Sequence, residues 1–318
     1  GTASCRRAPS RSGPALSLLR RAALALGLGL LAGLALPAHA EALRYCDQHG
    51  EMSHEQRDRL FRFAALVRDE LEASGQRLAL VSRSGLDLAR FGQRYSHTGV
   101  SLKGSEVAPW SVRQLYYACE ERQPRLFDQG LTAFLLGLNN PQGGYISVVF
   151  LPEAAAATLE PAALDNRRAL QLLGATYSAN AYAYGLRYQN CNQWVMEMLA
   201  SAWSDAPQAE EARVRAQDWM RAQGYAGSEF RLPFPPMMWL SVAVPWLHHD
   251  DHPQADLDAA VFRVSMPASI EAFVHERVPG ARRVEFCHAG TRVVVHRGWE
   301  PIAEGCEPGA QDRVVMLD

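Results

Sequence analysis

The chain has 318 residues, 48% of them hydrophobic and 21% charged, with six cysteines and a formal net charge of −2. That composition excludes a disordered or low-complexity protein. The near balance of charge leaves no basic footprint for nucleic acid.

Residues 1–40 read as a secretory signal: arginines up to Arg20 and Arg21, an apolar run from Ala22 to Leu36, then Ala38-His39-Ala40 ahead of Glu41. The run is shorter than the roughly 20 residues a membrane span needs. The expectation is an exported chain, periplasmic or extracellular, with no stable transmembrane span once the signal is removed. That leaves 318 − 40 = 278 residues, with 32 − 5 = 27 basic and 34 acidic side chains, a balance of −7. Cys5 departs with the signal, and Cys46, Cys119, Cys191, Cys287 and Cys306 remain, an odd number in an oxidising compartment. Cys191 is the expected free thiol, because it opens a helix among polar residues; the alternative is a paired Cys191 and a different cysteine left over.

Leu60, Phe63, Ala64, Val67 and Leu71 recur with helical spacing between Ser53 and Ser74, and Ser53 with Gln56 forms a capping box. A strand is predicted at Leu78 to Ser82, a connection at Ser84 to Gln93, and strands at Tyr95 to Leu102, Ser111 to Ala118 and Tyr145 to Leu151. These make the centre of an antiparallel sheet. Helices are predicted at Arg125 to Leu136, from Pro161 through Leu173, at Cys191 to Trp203 and at Gln208 to Gln223. Phe230 to Leu247, rich in proline and aromatics, reads as a linker packed on the main domain. Strands at Val261 to Val264, Arg283 to Cys287 and Thr291 to His296, with a helix at Ser269 to Glu276, complete the chain. The fold class is therefore α+β: a domain over residues 41–227, a linker over 228–260 and a smaller β-rich extension over 261–318.

Two patterns carry chemistry: Tyr95-Ser96-His97-Thr98-Gly99-Val100 on a strand, and Gln189-Asn190-Cys191-Asn192-Gln193-Trp194-Val195 at a helix start. A helix N-terminus offers N–H groups and partial positive charge that lower a thiol pKa. The same groups can receive an oxyanion. A strand histidine can take the thiol proton and return it to the leaving group. Gln114 is the expected partner fixing the His97 tautomer, since Val112, Gln114 and Tyr116 share a strand face; in another register Arg113 or Ser111 replaces it. Tyr188 and Asn192 are the expected substrate or oxyanion contacts.

Strand-borne Ser96-His97-x-Gly99-Val100, followed much later by helix-starting Asn190-Cys191-x-x-Trp194-Val195, resembles the circularly permuted NlpC-like branch of papain-fold cysteine hydrolases. More widely, Arg44-Tyr45-Cys46-Asp47, the run from Phe91 through Gly99, Trp110 through Cys119 and Leu173 through Trp194 resemble the bacterial family called domain of unknown function 2145. The first resemblance implies a papain-like antiparallel sheet with packed helices, Cys191 as nucleophile, His97 as base and a polar third residue. Its relatives include peptidoglycan peptidases, amidases and lipid acyltransferases. Asn192-Gln193 departs from the Ser or Glu that many relatives place after the cysteine.

The expected function is thiol-dependent hydrolysis of an amide in an envelope peptide. The alternatives are a non-catalytic binding or scaffold protein, and lipid acyl transfer through the apolar Phe230 to Leu247 stretch, with Met237, Met238, Trp239 and Trp246 as anchors. Neither cofactor nor metal is expected. His248-His249-Asp250-Asp251-His252 has ligand residue types, but on an irregular loop it reads as a solvated turn.

Overall fold

A computed structural model describes residues 52–137, 140, 142–204, 211–233 and 244–317. The expected signal, Cys46, and Met237, Met238 and Trp239 of the linker lie outside the described residues.

Helix α1 (His54–Ala73) begins where the capping box forms, with Gln56 N donating to Ser53 Oγ at 3.2 Å and Ser53 N to Gln56 Oε1 at 2.8 Å. Its buried stripe is Leu60, Phe63, Ala64, Val67 and Leu71, the set its periodicity marks. Each large side chain so removed from water stabilises by about 1.5–3 kcal/mol. The stripe packs on Ala79 and Val81 of β1 (Leu78–Arg83), Ile146 and Val148 of β5 (Gly143–Phe150) and Phe286 of β8 (Arg282–Ala289).

The sheet has eight strands in the order β10-β9-β8-β5-β1-β2-β3-β4. The remaining members are β2 (His97–Leu102), β3 (Ser111–Ala118), β4 (Gln123–Gln129), β9 (Arg292–Arg297) and β10 (Arg313–Met316). All neighbours pair antiparallel, so the α+β class holds. Further helices are α2 (Leu131–Leu136), α3 (Glu153–Leu164), α4 (Asn166–Gln171), α5 (Cys191–Trp203), α6 (Ala212–Ala222), α7 (Gln254–Asp258) and α8 (Pro267–Arg277). A separate pair, β6 (Ser228–Arg231) and β7 (Val261–Val264), brings the two ends of the linker together. No helix of the described residues is long and apolar enough to cross a membrane.

Four expectations need correction. The helix predicted from Arg125 begins only at Leu131, because Gln123–Gln129 pairs residue for residue with β3 and Gly130 then breaks the strand. Pro161 lies inside α3 rather than at a helix start; the alanine run before it, made of the best helix formers, carries the helix, and Asp165 opens α4 by capping Arg167 N at 2.9 Å. Phe230 belongs to a strand instead of a linker, its β6 backbone paired with Phe262. Finally, the C-terminal strands are no appendage: β8 pairs with β5 over its whole length, so β8, β9 and β10 complete the main sheet within one compact unit, Gly50–Asp318.

Candidate active site

The start of α5 follows from its cap. Asn190 is extended (φ −103, ψ 173), and its side chain accepts from Gln193 N at 2.7 Å, which makes Cys191 the first helical residue. Cys191 is buried and is the free cysteine among the described residues; Cys287 is bonded to Cys306, and Cys119 is also in a disulfide. The N–H groups of Asn192 and of Cys191 itself approach the sulfur.

The next residue ties the helix to the histidine strand. Asn192 Oδ1 accepts from Thr98 N at 3.0 Å and its Nδ2 donates to Ser96 O at 3.2 Å, so one side-chain amide grips the backbone on both sides of His97. The paired register of β2 and β3 spans Val100 to Leu102, and Asn192 takes over where it ends. Asn192 therefore serves as a strap through its side chain, and only its backbone N–H is directed at the thiol.

His97 Nε2 meets Gln114 Oε1. Gln114 Nε2 in turn donates to Gln129 Oε1 at 2.6 Å, which fixes the Gln114 oxygen as the acceptor facing the ring. The proton then sits on Nε2 of His97, and Nδ1 is the basic nitrogen. Gly99 permits this closeness: a Cβ there would stand 3.0 Å from Arg113 O and 3.3 Å from Gln114 Cβ, and would strike Val112. Arg113 faces the other way, forking onto Asp128 and reaching Ala163 O at 2.7 Å, and the Ser111 hydroxyl donates to Ala108 O. The imidazole is also packed between Tyr116 and Phe134, with ring centroids at 6.0 and 5.7 Å.

Burial dominates the electrostatics. It pushes the Cys191 thiol up to about 12, against the downward pull of the Asn192 N–H, the Arg83 charge, the thiol's own N–H and the Tyr177 hydroxyl. The expected helix-end activation is present and is outweighed. Burial likewise takes His97 down to about 3, aided by Arg83 and opposed by the Gln114 bond. Both groups are therefore neutral at pH 7. Their contacts are separate, the imidazole on Gln114 and the thiol on Tyr177 and the helix-end N–H groups; Asn192 and the shared field of Arg83 connect them.

Tyr177, not Tyr188, reaches the sulfur. Tyr177 forms a bridge with Gln189 and stacks on Tyr117 at 5.0 Å. Tyr188 instead stacks on His248 at 4.3 Å and its hydroxyl meets Asp250. Among the other nearby tyrosines, Tyr184 donates to Tyr225 O. Nothing in the spacing of the tyrosines distinguishes Tyr177, and Arg83 and Gln129 carry no local motif either. The His248 to His252 turn also differs from its reading as a solvated loop. Asp251 accepts from Tyr182 N at 2.9 Å and His252 Nε2 meets Asn180 O at 2.8 Å, with both side chains buried against the segment that leads to Cys191.

A family model described as an uncharacterized protein conserved in bacteria (DUF2145) matches residues 70–274. The chain belongs to that family. The DUF2145 match contains His97, Gln114, Gln129, Tyr177 and Cys191, and it stops short of β8, β9 and β10, which complete the sheet. No curated protein and no solved structure matches the chain.

Proposed function

We propose that this DUF2145 chain is an exported thiol hydrolase with a papain-like arrangement, cleaving an amide in an envelope peptide, with Cys191 as nucleophile, His97 as base and Gln114 as the residue that orients the base. The single observation that carries the reading is the Asn192 strap, which joins the free thiol's helix to the backbone of a histidine whose tautomer is already fixed. In the reaction, Nδ1 of His97 takes the thiol proton as sulfur bonds to the amide carbon. The carbonyl oxygen, now negative, is received by the N–H groups of Cys191 and Asn192. Collapse breaks the C–N bond, and the imidazolium gives its proton to the departing amine. Water then attacks the thioester, with His97 again as base, releasing the acid and restoring the thiol. Starting from a neutral pair, proton transfer accompanies attack and needs no preformed thiolate.

Covalent labelling by a peptidyl epoxide, read by intact mass, tests this. Cys191→Ala abolishes the adduct, and His97→Ala slows its formation by about 10²–10⁴-fold. Equal rates in the wild type and His97→Ala would defeat the proposal. A second reading, a non-catalytic envelope binding or scaffold protein, is favoured by the thiol being held protonated up to about 12. It requires no adduct at all. Lipid acyl transfer rested on a stretch whose centre, residues 234–243, lies outside the described residues, and no described feature favours it.

A further inference from the structure

Glu197 lies six residues after Cys191 on α5, and its side chain has no exposure to solvent. A buried carboxylate is costly unless donors surround it. Here Gln189 Nε2 approaches at 2.6 Å, Gln217 Nε2 at 2.8 Å, Gln193 Nε2 at 3.3 Å, and Arg213 through Nε at 2.8 Å and Nη2 at 3.1 Å. The same donors hold the chain that enters the helix. Arg213 also donates to Leu186 O at 2.8 Å, Gly185 O at 3.0 Å and Tyr188 O at 3.2 Å, and Gln217 donates to Gly185 O at 3.0 Å. Gln189 is fixed along its backbone too, its N donating to Thr176 O at 3.0 Å and its O accepting from Ser178 N at 3.2 Å. Those two bonds bracket Tyr177, whose hydroxyl is on the sulfur.

Those donors to Glu197 satisfy the carboxylate, as a buried ion pair requires. Beyond the carboxylate, Arg213 and Gln217 also hold the carbonyls of Gly185, Leu186 and Tyr188, three to six residues before the free cysteine. We propose that Glu197 is a positioning residue for Cys191: through Arg213 and Gln189 it fixes the segment Gly185 to Gln189 and keeps the thiol enclosed at the start of α5. The inference rests on Cys191 as the reactive group and adds the device that governs its access.

Two variants of the full chain test it from different sides. Glu197→Gln removes the charge and keeps the shape. Gly174→Ala leaves the charges in place but inserts a Cβ 2.9 Å from Gln189 Cβ and 3.1 Å from Arg213 Nη1, displacing the segment. The measurement is the rate of Cys191 alkylation by iodoacetamide against pH, with circular dichroism confirming folded protein at each point. In the wild type the rate is still climbing at about pH 10, and in both variants the midpoint moves down towards the ordinary thiol value, raising the rate at about pH 8 by roughly tenfold. Folded variants that keep the wild-type profile overturn the proposal. Unfolding of both variants overturns it equally, since the network would then be holding the fold and not the thiol. The two readings fail separately: His97→Ala with unchanged epoxide labelling removes the hydrolase, whereas the iodoacetamide midpoint decides the role of Glu197.

Discussion

Two histidines are buried in the same sheet, and they differ in what holds them. Burial takes His97 down to about 3 and His288, on β8, down to about 4. His288 packs against Phe63 at 4.7 Å, and its Nε2 has no hydrogen-bond partner. His97 has a glutamine on Nε2, a second glutamine behind the first, and an asparagine gripping its backbone. Burial alone thus makes an imidazole inert filling. A fixed tautomer and a fixed position are what distinguish a candidate base.

The comparison is most sharply tested in acid. Both folded-state values lie below the ordinary imidazole value of 6.5, so as pH falls the unfolded chain takes up these protons first. The stability they contribute is whole above about 6.5 and is lost as the pH falls through the folded-state values. His288→Phe removes one share, up to about 3 kcal/mol between pH 6.5 and 4, and leaves epoxide labelling at the wild-type rate. Urea unfolding across that range checks it; an unchanged slope would show that His288 is not held neutral. Next in size is Gly99→Ala, expected to destabilise by about 1–3 kcal/mol because β3 must back away. It should also slow labelling, since Gln114 moves with β3; a loss of stability with no loss of rate would separate the glutamine from the function of His97. The smallest effect is expected for Gln129→Leu, which leaves Gln114 free to turn its amide. A net hydrogen bond of about 1 kcal/mol corresponds to labelling slowed roughly fivefold. A rate matching the wild type would show that the first glutamine needs no support.

Local patterns carried much of this into the sequence. The α1 stripe, the Ser53 cap and the start of α5 at Cys191 follow from periodicity and capping, which depend on residues a few positions apart. Strand alternation brought Gln114 to the face of His97, but the match depends on the pairing of β2 with β3, whose close approach Gly99 permits. The partner of β5 was illegible for a related reason: β8 lies more than a hundred residues away, and its apolar alternation would suit any open edge. Tyr177, Arg83 and Glu197 belong to the same class, since each matters through what the fold brings to it. The thiol pKa went astray because the helix end is written in the sequence while the depth of burial is not.

The Asn192 strap has a consequence for motion. Because one amide holds the backbone on either side of His97 and belongs to the residue beside Cys191, the strand and the helix start cannot shift independently. Any displacement of the helix start is therefore shared with the backbone that carries His97.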